Sequence, residues 1–146
     1  MRLPASLRAL FYAFAAVLTA SGLVWLGVHY AAAPGAPGSA LALEVHGGAA
    51  MAVLFLVGIV VALHVPHGWR ERRNRGSGIA VASLLSLLAI TGFLLYYAGD
   101  DRLRETASLV HWSIGLAAPV LLWLHTGLGH RATRLRNGGV QGRRQG

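Results

Sequence analysis

Four apolar stretches, each close to twenty residues long, divide this chain at roughly residues 10–30, 41–65, 79–98 and 109–128. About 20 apolar residues in helical form cross the hydrocarbon core of a bilayer. Inside lipid every backbone N–H and C=O must find a partner within the protein, which leaves only helices and closed barrels. The stretches lack the short polar–apolar alternation of barrel strands, so they are read as helices. The expected fold is therefore all-α, an integral membrane four-helix bundle of up-down topology spanning residues 1–131. A basic tail, residues 132–146, is expected to be disordered, because glycine and charge leave its end nothing to bury. Composition agrees with a membrane class: 55% of the 146 residues are hydrophobic and 12% charged.

Charge sets the expected orientation. All 13 basic residues are arginine, and eleven of them fall at the start, in the middle loop (HGWRERRNRGSG) and in the tail. Arg102 and Arg104 alone lie on the other side. An excess of arginine marks the cytoplasmic side, so both termini and the middle loop are placed there. Because these arginines flank apolar segments, the net charge of +8 reads as a topology signal and not as a nucleic-acid surface. Trp25 and Trp112 fall near the outer boundary and Trp69 and Trp123 near the inner one, as aromatic belts do. A cleaved signal peptide is the competing parse of the first 33 residues. Its apolar part runs to about 20 residues, longer than the usual 7–15, which favours a retained helix.

The absence of cysteine removes disulfides, cysteine-held iron–sulfur clusters, thiol catalysis and thioether-linked haem. None of the five acidic residues falls in the middle of a span. What remains inside the spans is histidine. His46 and His64 lie in the second stretch, His111 and His125 in the fourth. At about 100° per residue, the eighteen-residue step from His46 to His64 closes five turns, and the fourteen-residue step from His111 to His125 leaves roughly 40°. The steps rise about 27 Å and 21 Å, a mismatch that helix tilt and a bend at Pro119 could absorb. With the orientation above, His46 matches His111 near the outer face and His64 matches His125 near the inner one. Ionisable groups within spans are costly and usually functional. Two same-face imidazole pairs on two helices fit axial ligation of haem iron, with two haems expected and one the alternative.

Small residues accompany these rings. Gly47 and Gly48 follow His46, Ala50 lies one turn along from it, and Gly115 one turn along from His111. They leave room for a porphyrin, and close helix packing favours the same residues. His29, His67 and His130 sit at span ends and are read as interfacial or solvated. Two other classes stay open: a histidine-lined transition-metal transporter or channel, and a structural membrane anchor.

HWSIGLAAPVLLWLHTGLGHR in the fourth stretch has thirteen residues between its first two histidines and Gly115 four after the first. With EVHGGAAMAVLFLVGIVVALHVPHGWR in the second stretch and TGFLLYY ending the third, it resembles the four-helix, di-haem cytochrome b family of bacterial membranes. That family includes the cytochrome b subunits of formate dehydrogenases and nickel–iron hydrogenases and the prokaryotic cytochrome b-561 group. The likeness covers about residues 5 to 131. It implies haem b on His46, His64, His111 and His125, location in the inner (cytoplasmic) membrane, and electron transfer between the quinone pool and a separate redox protein or catalytic subunit. Several relatives take a ligand from the first helix, where this chain has only His29. The second stretch has seventeen intervening residues where the family pattern has thirteen.

Overall fold

In the computed structural model, residues 4–31, 38–70 and 75–142 are described, with side chains in the last helix described as far as Leu128. Four helices account for nearly all of them: α1 (Ala5–Ala31), α2 (Ser39–Arg70), α3 (Arg75–Tyr97) and α4 (Asp101–Gly142). Each contains a segment long and apolar enough to cross a membrane; in α4 that segment is Asp101–Leu128. The observed helices extend past the apolar stretches because a helix does not stop where lipid would. It stops where a cap or a special backbone angle intervenes. Gly38, at φ 92°, precedes α2, and its carbonyl accepts from Ala42 N–H at 2.9 Å. This is the left-handed region that glycine enters without a Cβ clash. Asp100 caps α4, its carboxylate accepting from Leu103 N–H at 2.7 Å. Pro66 and Pro119 lie within α2 and α4 without ending them. The expected disordered tail is helical backbone as far as Gly142, and residues 143–146 lie outside those described.

The chain forms two compact units, Met1–Arg70 and Glu71–Gly146, each a helical hairpin. In the first, α1 packs on α2; in the second, α3 packs on α4. Polar contacts give the direction in the second hairpin: Ser77 meets His125 and Thr91 meets His111, in opposite order along the two helices, so they are antiparallel.

Both hairpins are zipped along heptad seams. In α2 the buried or half-buried positions run Ala42, His46, Ala49, Val53 and Leu56, in steps of four and three. In α4 they run Ala107, His111, Ile114, Ala118, Leu121 and His125, in the same steps. That rhythm is the left-handed, knobs-into-holes repeat of 3.5 residues per turn. Alanine at Ala42, Ala49 and Ala107 lets the backbones approach closely, which substitutes in lipid for the missing hydrophobic drive between helices. The opposite surfaces carry Phe14, Val24, Met51, Phe55, Phe93, Leu109 and Val120, all exposed. No large side chain among the described residues is fully buried. Apolar surface on this scale fits a hydrocarbon solvent and not water.

Candidate functional site

The seams decide where each imidazole goes. His46 is half-buried on the α2 seam against α1. Its Nδ1 lies 2.9 Å from the Leu18 carbonyl and 3.3 Å from Ser21 Oγ. His111 is half-buried on the α4 seam against α3, with Nδ1 at 2.9 Å from Thr91 Oγ1. His125 is half-buried further along α4, with Nδ1 at 3.0 Å from Ser77 Oγ. Each ring is therefore hydrogen-bonded at Nδ1 by the helix its own helix packs on, as a polar group inside an apolar span requires.

A glycine follows each of the three hydroxyl residues. A Cβ placed on Gly22 would come within 3.0 Å of His46 Cε1, and one on Gly92 within 3.4 Å of His111 Cε1. A Cβ on Gly78 would lie 3.8 Å from His125 Cε1. At Gly22 the missing side chain also uncovers the Leu18 carbonyl, one helical turn back, for the imidazole to reach. The unit that holds a ring is thus a Ser/Thr–Gly dipeptide. Neither hydropathy nor histidine spacing points to Ser21, Gly22, Ser77, Gly78, Thr91 or Gly92. Their signal was the recurrence of that dipeptide at seam positions of the odd-numbered helices.

The other candidates fall elsewhere. His64 lies on α2 with its side chain exposed, in a run of exposed residues from Val61 to His67. Ala50 is half-buried beside the buried Ala49, which is the seam residue. Gly115 is half-buried opposite α3, where a Cβ would make ordinary contact with Leu88 at 3.9 Å. Gly48 faces open space. His29 is exposed and stacks within its own helix on Trp25, ring centroids 4.7 Å apart at 15°, with Tyr30 edge-on to it. Pro119 is on the exposed side of α4. Among the described residues, no three His, Asp or Glu side chains gather to hold a bare metal ion.

Compared with family models, curated proteins and solved structures, the chain matches none.

Proposed function

We propose that this chain is a multi-pass membrane cytochrome b that passes electrons between the quinone pool and a separate redox protein or catalytic subunit. In this reading haem b is held through His46, His64, His111 and His125, in two groups or in one. The termini and the middle loop face the cytoplasm, as the arginine distribution favours, and the membrane is the inner membrane of a bacterium, as the resemblance implies. The observation that carries the proposal is the placement of His46, His111 and His125 at half-buried seam positions, each anchored at Nδ1.

The donor set fits haem. Haem iron would be held through imidazole nitrogen, the ligand type that His46, His64, His111 and His125 supply. Haem held by these imidazoles would supply one-electron transfer. The chain's own residues orient the rings through Nδ1, and no carboxylate or thiol falls in the middle of a span.

The test is a reduced-minus-oxidised spectrum of the purified protein with a pyridine haemochrome ratio of haem to protein. A b-type spectrum is expected, part of which is lost in His111→Ala. A colourless protein, indifferent to alanine at all four histidines, would return the chain to the anchor reading.

A further inference from the structure

We infer that the Ser/Thr–Gly pairs of α1 and α3 are positioning elements that fix one tautomer, Nδ1–H, at His46 and His111, making Nε2 the nitrogen that carries the lone pair. This rests on the cytochrome reading for its purpose but not for its geometry.

At His46 the assignment follows from a carbonyl. The Leu18 oxygen can only accept, so at 2.9 Å the proton belongs to His46 Nδ1. Ser21 agrees: its hydroxyl donates to the Val17 carbonyl at 2.7 Å, which leaves its oxygen to accept from the ring at 3.3 Å. His111 reaches the same state by another route. The Thr91 hydroxyl donates back to the Leu87 carbonyl at 2.8 Å. With its single proton given to that carbonyl, Oγ1 is left to accept from Nδ1–H in the 2.9 Å contact with His111. A hydroxyl bonded to its own helix is common in apolar helices. Here that habit converts a residue able to donate or accept into an obligate acceptor.

The glycine supplies the second constraint. A Cβ on Gly22 would stand 3.0 Å from Cε1 of His46, and one on Gly92 3.4 Å from Cε1 of His111, so a bare backbone is what lets each ring come this close to the helix that carries its acceptor. Ser77–Gly78 against His125 repeats the arrangement a third time. By contrast, α1 has Leu7–Arg8 at the place where α3 has Ser77–Gly78, counted back from Ser21 and Thr91. A metal-bound imidazole whose other nitrogen donates to a fixed acceptor is oriented and made a stronger electron donor. The Ser/Thr–Gly pairs of α1 and α3 supply such an acceptor at both rings.

The experiment is long-range 1H–15N correlation on the full-length protein with 15N-labelled histidine, reduced with dithionite so that bis-imidazole iron is diamagnetic, and assigned with His46→Gln and His111→Gln. Nδ1–H at both rings is expected. Nε2–H at either ring in the unaltered protein would overturn the inference, whether or not haem is present. Nδ1–H in a colourless protein would support it while removing the cytochrome reading, so the two failures are distinct. In the coloured protein, Thr91→Val should shift the reduction potential upward, and Thr91→Ser, which keeps the hydroxyl, should restore it. An unmoved potential in Thr91→Val would overturn the positioning role. Should Thr91→Val not fold, the wild-type tautomer and the Thr91→Ser potential still decide it.

Discussion

The α1–α2 hairpin and the α3–α4 hairpin are built on one plan but equipped differently. In both, a Ser/Thr–Gly pair late in the first helix meets a histidine early in the second, and an alanine one heptad step before that histidine is buried. The second hairpin repeats the device two heptads along, Ser77–Gly78 on His125. The first hairpin has Val60 two heptads beyond His46, and its second histidine, His64, is off the seam and exposed. The difference teaches that an apolar span does not by itself bury an imidazole. A ring is taken in where the seven-residue rhythm of the seam coincides with a hydroxyl and a glycine on the opposing helix.

That comparison can be broken most severely at the histidines. His111→Ala and His46→Ala should each weaken haem retention by about tenfold or more, as loss of an oriented metal ligand does. His125→Ala should cost more haem than His64→Ala when the haemochrome ratio is measured after detergent purification. Equal losses at His64 and His125 would mean that the seam does not select the ligands.

Next come the glycines. Gly22→Ala must move His46 and should destabilise the first hairpin by about 1–3 kcal/mol, as overpacking does. Gly92→Ala, with 3.4 Å of clearance in place of 3.0 Å, should stay under about 1 kcal/mol. Helical signal followed against temperature in detergent would rank the two, and the reverse order would sink the account of the close contact at Gly22.

The hydroxyls should reverse that ranking. Thr91→Val removes the acceptor of His111 Nδ1–H and should cost about 0.6–2 kcal/mol. Ser21→Ala leaves His46 the Leu18 carbonyl and should cost less than about 0.6 kcal/mol. Denaturation of each variant beside its parent, without added haem, measures both. The most local structural effect should come from outside the seams. Asp100→Ala deletes the cap of α4 and should cost about 0.5–1 kcal/mol, read as fraying of α4 by amide exchange, with the His111 ring unmoved.

Much of this was legible in the residues. Spans were readable because lipid demands a length and a composition that chance seldom produces, and all four apolar stretches lie in long helices. Helix ends were less readable: Asp100 and Gly38 act through local geometry that hydropathy does not register. The histidine faces depend on which helical period is counted. Counting 3.6 residues per turn brought His46 and His64 into register and set His111 and His125 about 40° apart. Packed helices follow 3.5, which puts His111 and His125 on one seam and moves His64 off the seam of His46.

From its residues alone this chain was committed to four apolar helices with two histidines in the second stretch and two in the fourth, because hydropathy and side-chain chemistry are properties of each residue wherever it lies. Which histidines are taken in, and which nitrogen each engages, waited on the pairing of α1 with α2 and of α3 with α4. A hydrogen bond such as Thr91 to His111 joins atoms far apart in the chain, and its direction depends on where the hydroxyl has already spent its single proton.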